Sequence, residues 1–372
     1  MTSPSAAAAA RAAGDRLPLV DALKAGACLL IVAHHLAFYG PMSQTAHALA
    51  PDIFDWLADY ARYAVQMFLA IGGFLAARTL APAGIGASGA PWGRIARRYR
   101  RLVVPYAAAL AVCIGVSALV RPVLTGDLVP EGPDAVQLLA HVLLLHDLFG
   151  IDALSAGVWY VAIDFQLFVL TSLLVWIGGC MPSPWRHGFL PMAVAVLAAL
   201  SLALFNRDPA LDAWAWYFFG AYGSGMLACW TAQARQPLRA IVLLASIGGA
   251  TLLIEYRGRI AVALATALLL AVAQQSGRMQ CWEPPAAVRY LGRISYAVFL
   301  IHFPVILLVA AVVHPVWPDA PWASLLGIVG ALGLSVVAGA LFHHGVEQPQ
   351  GRWHRWADRL RWWRHRTGAP VP

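Results

Sequence analysis

Lys24 and His35 stand eleven residues apart in one apolar stretch, and eleven steps of a helix return to within about 20° of the same face. Asp21 and Cys28 fall on that face as well, so the stretch carries a polar stripe that is costly to point at lipid. Histidine, with an unperturbed pKa of about 6.5, is the side chain that takes up and releases a proton near neutral pH, which makes His35 a candidate proton carrier. His34 is turned about 80° from Lys24. A packing histidine beside a lysine that reaches toward the interface is the plainer account of the same residues. Asp164 lies about seven residues into another apolar stretch, where a carboxylate must be paired or functional and must face the protein interior. Ser295 and His302, seven apart, share one face; His302 reads first as a structural hydrogen-bonding residue and second as a functional one. Arg94, Arg97, Arg98, Arg100 and Arg101 contain Arg-x-x-Arg in three registers and read first as a topology determinant. His141, His146, His343 and His344 have no spacing that makes a metal site with a nearby carboxylate, and the five cysteines include no C-x-x-C pair. No metal is expected.

These residues need a frame, and composition dictates it. With 60% hydrophobic and 12% charged residues and a mean hydropathy of +0.67, a chain of 372 residues cannot cover itself with polar side chains. Disordered, collagenous, disulfide-scaffold and soluble nucleic-acid-binding classes are excluded. A helix spans the bilayer with about 20 residues, and ten stretches of about that length occur, near 19–39, 61–80, 102–120, 157–179, 189–205, 213–233, 238–254, 259–275, 291–313 and 322–342. The expected fold is an all-α polytopic transmembrane bundle of about ten spans. The segment 135–148 is too short to span and reads as interfacial or re-entrant.

The net charge of +8 supplies the orientation. Placing the N-terminus in the cytoplasm puts the 94–101 cluster, Arg186, Arg235, Arg239, Arg278, Arg289 and the tail arginines inside. Asp52, Asp55, Asp59, Asp127, Glu131, Asp134, Asp147, Asp152, Asp208, Asp212, Glu255 and Asp319 then lie outside, with Arg62, Arg121, Arg207, Arg257 and Arg259 as the basic exceptions. Both termini are expected in the cytoplasm. Residues 1–15 read as a flexible leader, 16–350 as the membrane domain, and 351–372 as a basic, tryptophan-rich tail suited to anionic headgroups.

Five elements, in order, resemble the acyltransferase-3 family of membrane O-acyltransferases. They are Arg16…Lys24…His35; Phe68 to Leu75, with Gly72 where a serine is usual; Trp159…Asp164-x-Gln166, with aspartate for glutamate; Gly292 to Pro304; and Glu347-Gln348-Pro349. Lys24 stands where the family has arginine. The resemblance implies transfer of an acyl group, acetyl first, from cytoplasmic acyl-CoA as co-substrate to a hydroxyl of a carbohydrate or lipid-linked glycan, in the inner membrane. It implies His35 as general base and Asp164 as an orienting acid or the partner of a basic group. Lys24, Arg97, Arg98, Arg100 and Arg101 are then donor-binding residues, and Trp159, Ser295 and His302 candidate substrate contacts. Nucleic acid is not an expected partner; the bilayer is, and a periplasmic protein could receive the acyl group. A secondary transporter is the competing reading, but no repeat between halves and no matched pair of broken spans supports it.

Overall fold

The computed structural model describes residues 17–124 and 128–348. Arg16, Asp127, Pro349, the leader and the tail, all used in the sequence reading, lie outside the described residues. Ten long helices follow the ten apolar stretches: α1 (Pro18–Phe38), α2 (Ala64–Leu80), α3 (Trp92–Val120), α4 (Trp159–Cys180), α5 (Phe189–Ala203), α6 (Ala215–Thr231), α7 (Pro237–Ile254), α8 (Gly258–Gln275), α9 (Ala286–Val316) and α10 (Pro321–Phe342). Among the described residues there is no strand. Among the described residues nine helices are long and apolar enough to cross a membrane, α2 among them once the short helix Pro51–Asp59 leading into it is included. The tenth, α6, has 17 residues, and every one from Tyr217 to Met226 is buried. It is the central post of the bundle.

Helices α3 and α9 begin well before their apolar stretches do. Arginine is a good helix former, so α3 runs through Arg94 to Arg101 without a break and carries the cluster into the bundle. Close helix contact is set by glycine, as in other membrane bundles. A Cβ at Gly73 would collide with the Tyr222 carbonyl, and one at Gly225 with that of Ala70, which locks α2 against α6. A Cβ at Gly292 would collide with the backbone of Asp21, so α9 lies directly on α1. These two helices run parallel in one register: Cys28 Sγ donates to the Ser295 carbonyl at 3.4 Å, and His35 meets His302, each pair 267 residues apart.

The segment 135–148 is re-entrant. Its helix Ala135–Val142 is capped by Asp134, whose side chain accepts from the Gln137 N–H, and the chain turns back at Leu144 with φ +59°. Tyr99 of α3 donates to the Val142 carbonyl at 2.8 Å and packs on Phe165 at 5.4 Å, which sets the depth of the tip beside Asp164.

The chain separates into two ends as the charge pattern requires. At the arginine-rich end Trp230 Nε1 donates to the Ala81 carbonyl, and the loop around Gly86 packs on Gly178 and Gly179. The opposite, acidic end holds the basic exceptions by specific bonds: Arg62 to the Asp59 carbonyl, Arg121 to that of Pro130, Arg207 to Glu255 at 3.2 Å, Arg257 to Asn206 and Arg259 to Tyr217.

Candidate active site

A cavity of about 640 Å³ lies between α1, α2, α3, α4, α6 and α9, toward the arginine-rich end. Its wall carries six basic residues, Lys24, Arg94, Arg97, Arg98, Arg101 and Arg293, and two acidic ones, Asp164 and Glu347. Arg94, Arg97, Arg98 and Arg101 are spaced i, i+3, i+4 and i+7, which is one face of α3. Arg100 points elsewhere and is not in the wall, so the Arg97/Arg100 register is not one the fold presents to the cavity. The other two registers both line it.

Asp164 forms an ion pair with Arg98, Nη2 to Oδ2 at 2.5 Å, and its side chain is 9% exposed. Arg98 also stacks on Phe168 at 5.4 Å. The carboxylate is thus the partner of a basic group, one of the two roles expected for it. Two departures from the family pattern meet here: a Cβ at Gly72 would lie 3.7 Å from Asp164 Oδ1, so the missing serine side chain and the shortened acid face each other. Glu347 enters the wall because α10 ends in a π-helical turn, His343–Glu347, in which His343 Nδ1 and Glu347 Oε2 are 2.7 Å apart. Such wide turns recur at functional sites.

His35 does not open into this cavity. Ile31, one helical turn before it, and Phe299 form the wall there, and His35 lies behind them against His302, rings stacked at 4.8 Å and 10°. The bonding fixes both tautomers. His302 Nδ1 lies 2.6 Å from the Phe299 carbonyl, which only accepts, so Nδ1 carries the proton. In the neutral ring Nε2 is then an acceptor, and its neighbour at 2.6 Å, His35 Nδ1, must donate to it. His35 Nε2 is left with its lone pair free, and it has no hydrogen-bond partner among the described residues. A Cβ at Gly157, which has φ +77°, would come within 3.2 Å of His35 Cε1, beside that nitrogen. Only glycine suits both the conformation and the space.

The remaining sequence candidates fall as follows. Lys24 is in the cavity wall, and Ser295 is too, its hydroxyl donating to the Gly292 carbonyl. Trp159 is not in the wall; it stacks on Phe218 at 5.6 Å and helps seat α4 on α6. His34 is buried with its Nδ1 3.1 Å from the Leu57 carbonyl, the packing role. Arg293, Tyr160 and Tyr222 were not foreseen, although Arg293 sits inside the Gly292 to Pro304 element. No group of three or more metal-ligating residues exists among the described residues.

A family model for an acyltransferase domain matches residues 18–342. The chain belongs to the acyltransferase-3 family. No curated protein and no solved structure matches it. As a member of this family the chain is a multi-pass membrane acyltransferase, and the matched span runs from the first residue of α1 to the last of α10. It therefore includes His35, Asp164, His302 and all of the basic cavity wall, and stops short of Glu347.

Proposed function

We propose that this acyltransferase takes an acetyl group from acetyl-CoA at its arginine-rich, cytoplasmic face and passes it to a carbohydrate hydroxyl that approaches from the other side of an inner membrane. The observation that carries the reading is the free lone pair on Nε2 of His35, whose Nδ1 is bonded to His302, behind the Ile31 and Phe299 wall of a cavity lined by cations. Coenzyme A carries several phosphate charges, and the guanidinium groups of Arg94, Arg97, Arg101 and Arg293 suit them as planar, bidentate donors. Lys24, on α1 about 16 Å below His35, suits the same end of the donor. His35 Nε2 removes the proton of the acceptor hydroxyl as its oxygen attacks the thioester carbonyl. The C–S bond breaks, the ester forms, and the sulfur leaves with the proton as free thiol. General-base catalysis of this kind contributes about 10² to 10⁴ in rate. His302 touches no reacting atom; it is a positioning residue that keeps the proton on Nδ1 of His35 and so keeps Nε2 basic.

Sealed vesicles of defined orientation test the reading. With labelled acetyl-CoA outside, vesicles whose arginine-rich face is outward should form base-labile acetyl esters on carbohydrate, and those of opposite orientation should form none. Equal labelling from either side, or none from both, would overturn it.

A further inference from the structure

Among the described residues, four of the buried polar atoms without a hydrogen-bond partner lie on three residues outside the cavity, Tyr106 Oη, both ring nitrogens of His146 and Asp147 Oδ2; others, on Ser117, Ser172, Arg186, Arg257, Gln274, His314 and Ser324, contribute one atom each. Tyr106 and His146 have no exposed surface at all. His146 Nε2 and Asp147 Oδ2 are 3.4 Å apart without hydrogen-bond geometry, and Asp147 and Tyr106 are close enough for the carboxylate to act on the phenol. The neighbour of His146, His141, stacks on it at 4.2 Å yet is itself satisfied: Nδ1 donates to the Gln137 carbonyl and Nε2 accepts from the Leu154 N–H. Orphaned polar atoms are costly in native interiors, and three residues that carry them are neighbours here.

That place connects the two sides of the reaction. Tyr106 is in turn close to Tyr296, a residue of the donor cavity wall. The chain that follows the re-entrant segment reaches Gly157, against His35. Toward the acidic end, Asp147 has Asp212 as a neighbour, and two residues on Trp214 stacks on Trp216 at 4.5 Å and 12° with 38% of its surface exposed.

We infer that the re-entrant segment seats the acceptor: Tyr106, His146 and Asp147 bind the hydroxyl groups of a neutral sugar and the stacked indole pair, exposed at Trp214, carries its C–H face. The site deepens the acyl-transfer reading and rests on it. A phenol, a neutral imidazole and a carboxyl each meet a group that donates and accepts at once, which a sugar hydroxyl does. Two carboxyl groups, Asp147 and Asp212, oppose an anionic ligand. A flat apolar face beside a few convergent polar groups is the usual make-up of a small-molecule site.

The test uses the full-length protein returned to cells that lack it, with acetate released by mild base from envelope carbohydrate as the readout, and acetyl-CoA binding measured on each purified variant. Tyr106→Phe removes a hydroxyl that has no partner among the described residues. It should leave thermal stability and acetyl-CoA affinity unchanged within two-fold and cut acetate at least ten-fold. Asp147→Asn should likewise cut acetate and leave acetyl-CoA affinity unchanged within two-fold, and Trp214→Ala should cut acetate less. Full acetate in Tyr106→Phe and Asp147→Asn overturns the acceptor site, as does loss of acetate together with stability in Tyr106→Phe, which would make the hydroxyl structural. If wild type itself adds no acetate above cells lacking the protein, the acyl-transfer reading fails, and the acceptor site fails with it.

Discussion

The arginine-rich and acidic ends of this molecule treat their buried carboxyl groups differently. In the basic cavity the carboxylate of Asp164 is matched to Arg98, and Glu347 is bonded to His343. Around the re-entrant segment the polar atoms of Tyr106, His146 and Asp147 are buried and unmatched. A paired buried charge is structure as much as chemistry, because removing one partner strands the other. An unmatched buried group stabilises nothing by being polar, so its retention points to something that arrives during function. The contrast predicts that mutations at one end damage fold and activity together, and mutations at the other damage activity alone.

The largest stability effect should come from Arg98→Ala, which leaves Asp164 uncompensated. A loss near the lower end of 3–5 kcal/mol is expected, since Arg98 is itself partly exposed, and denaturation in detergent measures it. Replacing both partners by apolar residues should restore most of the stability and none of the activity. Next come the charge reversals. Arg97→Glu and Arg101→Glu should each raise the Michaelis constant for acetyl-CoA about ten-fold at low salt and less at high salt, because the attraction is screened. Arg100→Glu, on another face of α3, should change it little. If all three reversals behave alike, the helical register of the cavity wall is wrong.

Smaller effects probe the acidic end. Burial, and then Asp212, push the Asp147 carboxyl up to about 6 from an ordinary 3.8. Protonation therefore favours the folded state, and the charged form is penalised above that value. Asp147→Asn should melt a few degrees higher than wild type at pH 8. The advantage should shrink as pH falls through 6 and vanish near 4. An advantage constant across that range would mean that the charge of Asp147 is not what costs stability. Smallest of all, His34→Ala should lose about 1 kcal/mol with its bond to the Leu57 carbonyl and keep its transfer rate. An inactive His34→Ala would move the base to that residue.

Much of the donor end was legible because it obeys helical periodicity. Arg94, Arg97, Arg98 and Arg101 share a face that can be counted from spacing alone; Arg100 was included only because the cluster was taken whole. Lys24 and His35 were rightly placed on one side of α1, but that side meets two environments, the cavity at Lys24 and the His302 ring at His35. The second pairing joins residues 267 apart, and no local pattern encodes it. The one trace in the chain is Gly292, whose missing side chain lets α9 lie on α1. Glu347 was quoted only as part of a motif because the π-helical turn that aims it has no periodic signature. The sixth span was read as one helix among ten, although it is the buried post around which the others pack. His141 and His146 were noted for lacking metal spacing, yet only the turn at Leu144 stacks one ring on the other, and only the packing of α3 brings Tyr106 near.

The most direct measurement concerns His302 and the proton it keeps on His35. His302→Phe preserves a stacked ring and removes the acceptor of the His35 Nδ1 proton, whereas His302→Gln offers an amide oxygen in its place. Transfer from saturating acetyl-CoA should fall at least about 100-fold in His302→Phe and recover to within about ten-fold of wild type in His302→Gln, with donor affinity equal in all three. A fully active His302→Phe would reduce His302 to packing and leave His35 without the relay that makes it a base.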